Sequence, residues 1–79
     1  MMTTTTNTAT IVKATFNGGT GAGPVTVAGL NVGDVMVRCV PDGFTDGFEP
    51  VISVAGQIQQ NASLDWSSVQ FTAYLLRGV

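Results

Sequence analysis

The residues of this chain that could perform chemistry are one thiol and a short group of carboxylates. The 79 residues include no histidine, so Cys39 has no imidazole that could convert it into a thiolate nucleophile. We therefore expect Cys39 to be a small buried hydrophobe within a strand. The carboxylates of Asp42, Asp46 and Glu49 are close in sequence, but they lack the D-x-D-x-D-G spacing of a calcium loop. They are typical of solvated turns.

A glycine-rich segment, GGTGAG at residues 18–23, is the other feature that suggests a ligand. It does not fit a phosphate-binding loop, because no G-x-G-x-x-G register exists and Pro24 and Val25 stand where a Lys-Ser/Thr pair would follow. We expect a flexible hairpin loop here. Without a catalytic dyad, a set of metal ligands or a nucleotide motif, the sequence predicts a protein that is not an enzyme and uses no cofactor.

The low charge of the chain indicates that other subunits cover part of its surface. Charged residues make up 10% of the sequence, compared with about 25% in typical soluble domains, and the mean hydropathy is +0.34. A domain this small usually needs disulfides, a metal or partner subunits, and a single cysteine excludes internal disulfides. We therefore expect a homo-oligomer, with a trimer favoured.

Charge and hydropathy also exclude several classes of partner. The net charge is −2 and the basic residues Lys13, Arg38 and Arg77 are far apart in sequence, so no nucleic-acid surface is predicted. No apolar run approaches the ~20 residues of a membrane helix, so no membrane contact is predicted. The first residues, MMTTTTNTATIVK, lack the basic and hydrophobic regions of a secretory signal, which predicts synthesis in the cytoplasm.

Alternating apolar and polar residues predict about five β-strands and no helix. The predicted strands are 9–16, 24–28, 35–40, 51–60 and 69–77, with a bulge or bend at Gly56. The turn signals between them favour an all-β fold, a small antiparallel β-sandwich or barrel that occupies residues 9–79. Residues 1–8 form a threonine-rich arm with nothing to bury, which is either flexible or a strand that pairs with a neighbour after assembly.

The predicted strands have one clearly apolar face and a second face that is only partly polar. The inner face is predicted to contain Val12, Ala14, Phe16, Val25, Val27, Val35, Val37, Ile52, Val54, Ile58, Val69, Phe71, Ala73 and Leu75. The opposite parity places Ile11, Ala28, Met36, Val40, Val51, Tyr74 and Leu76 on the outer face. A sheet with one solvated face should alternate more sharply, so this apolar excess predicts a subunit interface.

Three aromatic residues lie in predicted loops, where their role depends on what they contact. Phe44 and Phe48 are in the turn segment 42–50, and Trp66 is in a polar connector. They either fold back onto the core of the domain or anchor a partner, and a sugar ring is an alternative ligand for Trp66. The candidate interface residues are Thr3, Thr4, Thr5, Thr6, Ile11, Met36, Val40, Phe44, Phe48, Trp66, Tyr74 and Leu76.

The stretch LNVGDVMVRCV (30–40) and the closing VQFTAYLLRG (69–78) resemble small structural proteins of tailed bacteriophages. Those proteins often combine a threonine-rich start, an L-x-V-G-D turn that leads into a strand, and a last strand near the C-terminus. The chain looks most like capsid decoration, or cement, proteins, which are short, acidic, β-rich and commonly trimeric on the capsid surface. The resemblance implies a location in the virion and binding to the major capsid protein or another virion protein. It transfers no catalytic or ligand-binding residue.

These observations lead to one functional hypothesis and two alternatives. The first is a structural virion protein that binds and stabilises a phage capsid. The alternatives are a tail, baseplate or fibre-associated module, and a carbohydrate-binding β-sandwich that uses Trp66 and the phenylalanine loop. The low charge and the mixed outer face favour assembly over sugar binding.

Overall fold

The computed structural model describes residues 4–79, whose strands form two antiparallel β-sheets. The strands are β1 (Thr10–Asn17), β2 (Gly23–Thr26), β3 (Val35–Val40), β4 (Gln57–Gln60) and β5 (Gln70–Arg77), and one turn of 3-10 helix spans Thr45–Gly47. The three-stranded sheet has the order β1-β5-β3, and the two-stranded sheet pairs β2 with β4. This architecture confirms the predicted all-β fold with five strands.

The glycine-rich segment connects the two sheets, so the prediction of a hairpin loop is wrong. β1 pairs with β5 whereas β2 pairs with β4, and the chain passes between the sheets through residues 18–22. The fully buried side chain of Gln60 holds this crossing, because its Oε1 accepts a hydrogen bond from the Gly19 amide at 2.7 Å. Its Nε2 donates to the carbonyl oxygens of Ala62 and Leu64. One satisfied buried amide therefore ties the crossing to the connector that carries Trp66.

The predicted strand 51–60 is divided by a turn. Only Gln57–Gln60 form β4, and Gly56 has a φ of +77° in the turn before it, where glycine carries no steric penalty. Upstream, Val51 makes a single bridge with β3 and Ile52 is buried. The turn also leaves Val54 exposed, although strict alternation predicts that it is inside. The segment thus begins beside the three-stranded sheet and ends in the two-stranded sheet.

A β-bulge in β3 reverses the predicted faces of Met36 and Val37. The pairing with β5 shifts between Met36 and Arg38, so the residue between them has no partner of its own. Met36 is consequently buried, at 8% exposure, while Val37 is 52% exposed. The prediction that Met36 lies on the outer face is therefore wrong, and so is the prediction that Val37 lies inside. Beyond the bulge the parity recovers, and Cys39 is fully buried as predicted.

The core between the sheets is dominated by aromatic rings. All four phenylalanines and the tryptophan form one cluster around Phe71, whose ring centroid lies 5.0 to 5.8 Å from the other four centroids. Phe48 is 2% exposed, and Phe44 and Trp66 are half-buried against the core. Of the two alternatives for these loop residues, contact with the core of their own domain is the one observed. Phe48 in particular has almost no exposed surface with which to anchor a partner.

The close approach of Gly18 to Trp66 makes a sensitive test of this packing. A Cβ atom at Gly18 would lie 2.6 Å from Cβ of Trp66 and 2.8 Å from its carbonyl oxygen, whereas a Cβ at Gly21 would meet nothing within 4 Å. We expect Gly18→Ala to lower the free energy of unfolding by about 1–3 kcal/mol. The control Gly21→Ala should leave it nearly unchanged. Urea titration followed by tryptophan fluorescence measures both, and equal midpoints would contradict the packing described.

Candidate functional site

The outer face of the three-stranded sheet carries an apolar surface, here called the outer patch. The outer patch consists of Ile11, Val37, Val40, Tyr74 and Leu76. Ile11 is 59%, Val37 52% and Val40 38% exposed. All of these residues except Leu76 border, together with Arg38, a shallow depression of about 420 Å³. Exposed apolar surface that is contiguous in this way is typical of contacts with other proteins.

The strand register explains why four predicted interface residues meet in the outer patch. Ile11 of β1 is opposite Leu76 of β5, and both side chains lie on the outer face. Burial alternates along β5 up to Leu75, so Tyr74 faces outward between two buried residues and Leu76 faces outward after a buried one. Val40, beyond the bulge, follows the predicted parity. Their role as an interface remains a prediction.

The other predicted interface residues lie elsewhere in the chain. Met36 and Phe48 are buried in the core, and Phe44 and Trp66 pack against it. Residues 4–6 are exposed and belong to the segment 4–9, which has no regular secondary structure. Thr3 lies outside the described residues. The structure therefore separates the predicted set into a sheet surface, an aromatic core and an arm.

Val37 is the residue of the outer patch that sequence reasoning missed. Strict alternation through VMVRCV places Val37 on the inner face, and the bulge is what turns it outward. The run VMVRCV carries no local signal for the bulge, because Val35, Val37 and Cys39 already satisfy strict alternation with apolar side chains.

Two cations flank Tyr74 on the outer face. Lys13 is opposite Tyr74 in the pairing of β1 with β5, and its Nζ lies 6.0 Å from the ring centroid, at the outer limit of a cation–π contact. Arg38 is opposite Tyr74 in the pairing of β3 with β5. Its Nη2 lies 3.5 Å from Oδ1 of Asp42 in a highly exposed ion pair, which contributes little to stability. An aromatic ring between two cations is therefore available to a partner.

A partly buried ion pair joins the start of β3 to the end of β5, with the Arg77 side chain 34% exposed. Asp34 is 1% exposed, and its carboxylate accepts hydrogen bonds from Nε of Arg77 at 3.0 Å and from Nη2 of Arg77 at 2.8 Å. Nη2 also donates to the carbonyl oxygen of Gly29 at 2.7 Å. The Asn31 amide donates to the Asp34 carboxylate at 2.9 Å. The turn of residues 29–34 is thereby held against β5, and β3 starts from a fixed point.

These contacts keep the Asp34 carboxyl ionised. The side-chain hydrogen bond from Arg77 holds the pKa of Asp34 below its usual value, although burial opposes this effect, and the Asn31 amide lowers it further. The same hydrogen bond raises the pKa of Arg77. A carboxyl whose pKa is lowered by folding stabilises the fold above its unfolded pKa. That stabilisation is lost as the pH falls through the folded pKa.

The other potentially reactive groups are engaged within the fold. Burial raises the pKa of the Cys39 thiol, and the charge of Asp42 raises it further. Glu49 accepts hydrogen bonds from the Ser53 hydroxyl at 2.8 Å and from the Gln59 amide at 3.1 Å. Within residues 4–79, no three side chains of the metal-binding types come together. The same residues form no helix long and apolar enough to cross a membrane.

Comparison with known proteins adds no relative to this description. No family model, curated protein or solved structure matches the chain at a significant level. The outer patch and the composition of the chain are therefore the features that bear on its function.

Replacing Arg77 tests the partly buried ion pair, and Arg38 supplies a matched control. In Arg77→Gln, Asp34 stays buried without its cation, so we expect the melting temperature at neutral pH to fall by about 5 °C or more. In Arg38→Gln, which removes the exposed pair, we expect almost no change. The deficit of Arg77→Gln should shrink as the pH falls, because protonation of Asp34 removes the unpaired charge.

Thermal denaturation followed by circular dichroism, from neutral pH down to about pH 2, measures this dependence. A deficit that does not change with pH would contradict the role assigned to the Asp34 charge. Equal losses in the two variants would do the same.

Proposed function

We propose that this chain is a structural virion protein that binds the outside of a phage capsid and stabilises it. The outer patch carries the proposal, because it exposes apolar side chains on a hydrogen-bonded sheet in a chain with only 10% charged residues. Covering such a surface with another protein removes apolar area from water, which is favourable. The proposed partner is the major capsid protein or another virion protein. A role without catalysis is part of the proposal.

The proposed mechanism is stabilisation of an assembled shell by mass action. A protein that binds the closed shell better than its separated subunits shifts the equilibrium towards the shell. Symmetry repeats each contact many times, so one contact can be weak. We propose that the chain acts as a homo-oligomer, with a trimer as the expected form, because an oligomer can bridge several capsid subunits at once.

Tyr74 is the best candidate anchor of the outer patch. It lies on the central strand of its sheet between Lys13 and Arg38, and tyrosine is enriched among the residues that dominate binding energy. The aromatic residues proposed as anchors from the sequence are less suitable. Phe48 lies in the core, and Trp66 packs against it. We therefore propose that the partner contacts the sheet surface and not the aromatic loops.

The same packing weakens the carbohydrate-binding alternative. That hypothesis requires an open ring face on Trp66 for stacking against a sugar. The Trp66 centroid instead lies 5.1 to 5.6 Å from the centroids of Phe44, Phe48 and Phe71. Much of the ring surface is thus already in contact with the protein itself, which favours assembly as the function.

The direct test compares phage particles with and without this protein. We expect particles that lack it to lose their genome at a lower temperature, or at a lower chelator concentration, than complete particles. Electron microscopy should place the protein on the shell. Equal resistance of the two particles would refute stabilisation, and a position in the tail would favour the tail-component alternative.

A charged substitution in the outer patch tests the proposed contact surface. Val37→Lys puts an ammonium group at a position that is 52% exposed, so we expect the fold to keep its melting temperature. Binding to particles should fall about tenfold or more, equivalent to ~1.4 kcal/mol. The control Leu64→Lys changes a residue that is 59% exposed in the connector before β5. If both variants bind as the wild type does, the outer patch is not the contact.

A further inference from the structure

The two sheets have four outer edges, and the segment 48–52 of the same chain covers two of them. Beside β3, the Met36 amide donates a hydrogen bond to the Pro50 carbonyl oxygen at 2.8 Å. Beside β4, the Glu49 amide donates to the Gln59 carbonyl oxygen at 2.9 Å. These two edges are therefore protected from pairing with another chain.

The edges of β1 and β2 are uncovered among residues 4–79, and the β1 edge borders a groove whose other wall is the end of β2 and the segment after it. β1 pairs with β5 and β2 with β4, and neither has a second partner strand in that part of the chain. The groove has a volume of about 720 Å³ and runs between residues 12–17 of β1 and residues 26–30. β1 contains no proline and no bulge, two of the features that protect natural sheet edges. The free edge of β1 is therefore a place where one further strand could pair.

The residues around the groove favour a strand with small, uncharged side chains. The core beneath it is already closed, since Phe16, Val27 and Leu30 are at most 8% exposed. An occupant therefore needs no large apolar side chain. Small residues such as Ala28 line the groove, and Lys13 is the single charged residue in its lining.

Residues 4–9 of the chain, TTTNTA, have these properties. They carry no charge, they are rich in threonine, which favours extended backbone, and they are exposed without regular secondary structure. Residues 4–8 are the described part of the threonine-rich arm, and together with Ala9 they would cover about 20 Å of a strand edge when extended.

The arm cannot readily fill the groove of its own molecule. It runs directly into β1, so it would have to reverse within residues 7–10, whose sequence is NTAT. A two-residue reversal requires positive φ values, and it favours Asn-Gly, Asp-Gly or Gly-Gly. This stretch has no glycine, and none of the non-glycine residues described has a positive φ. A longer hairpin loop would use up most of residues 4–9, whereas the arm of a second copy can pair along its whole length.

We propose that the arm of one copy adds as a strand to the β1 edge of a second copy, in the groove between β1 and residues 26–30. The backbone groups of the arm would pair with those on the open side of β1, as in other cases of strand addition. Each copy offers one arm and one groove, so the exchange is complete in any closed ring of copies, including a trimer. The inference rests on the self-association in the proposed function, but it does not depend on the virion.

The first test uses the full chain in solution, with no particle present. Thr5→Pro/Thr6→Pro removes two amide donors from the arm and disfavours a strand, whereas the control Thr5→Val/Thr6→Val keeps the donors and the β-branched side chains. Light scattering at tens of micromolar should show an oligomer for the wild type and the valine variant, and a monomer for the proline variant. The proline variant should still melt cooperatively, at the temperature that the wild type approaches on dilution, because the core lies outside the arm and association alone adds to the stability of the wild type. A monomeric wild type, or an oligomer that survives the proline substitutions, would overturn the proposal.

The second test adds synthetic arm peptides, residues 1–9, to the full-length proline variant. Nuclear magnetic resonance should show shifts of amides in residues 12–17 and 26–30, not in the outer patch. Only alternate amides of an added antiparallel strand face its neighbour. One peptide N-methylated at Thr4, Thr6 and Thr8, and another at Thr5, Asn7 and Ala9, should therefore differ, with one binding and one not. Equal binding of the two, or shifts confined to the outer patch, would refute strand addition. Since neither test involves a capsid, their failure would leave the proposed virion role to its own experiment.

Discussion

The arrangement of the three-stranded sheet depends on one carboxylate that folding removes from water. A buried carboxylate is tolerated only when a cation and hydrogen-bond donors compensate for its lost hydration, and Asp34 has both. Asp34 immediately precedes β3, and its partner Arg77 is the last residue of β5. The pair therefore fixes where β3 begins along β5. The register that follows from this point, together with the bulge, decides which side chains of β3 reach the core.

The long strands of this fold were predictable because their periodicity is local. β1 and β5 alternate over most of their eight residues, and the bounds of β1, β3 and β5 agree with the predicted ones to within two residues. The two-stranded sheet was harder to predict, since β2 and β4 have four residues each and depend on distant contacts. The crossing through residues 18–22 depends on a hydrogen bond to the buried side chain of Gln60. No local sequence pattern predicts that this glutamine is buried. Local patterns therefore failed at the glycine-rich segment, whereas the bend predicted at Gly56 is present as the turn before β4.

The candidate site was also predictable only where strands alternate regularly. Ile11, Tyr74 and Leu76 were assigned correctly to the outer face, because simple parity holds on β1 and β5. Val37 was not, because a bulge is a property of the pair of strands and not of one sequence. Loop aromatics have no periodicity, so their position around Phe71 could be offered only as one of two alternatives.

The central place of β5 has a kinetic consequence. Both pairings of the three-stranded sheet involve β5, which is the last strand in the chain order. The contacts that it makes are remote in sequence, as in the pair Thr15 and Thr72, 57 positions apart. Contacts this distant require closure of a long loop before they become favourable, and proteins dominated by them fold slowly. During synthesis, β1 and β3 therefore leave the ribosome before β5, which is their common partner. Until β5 emerges, their unpaired edges are exposed to pairing with other chains.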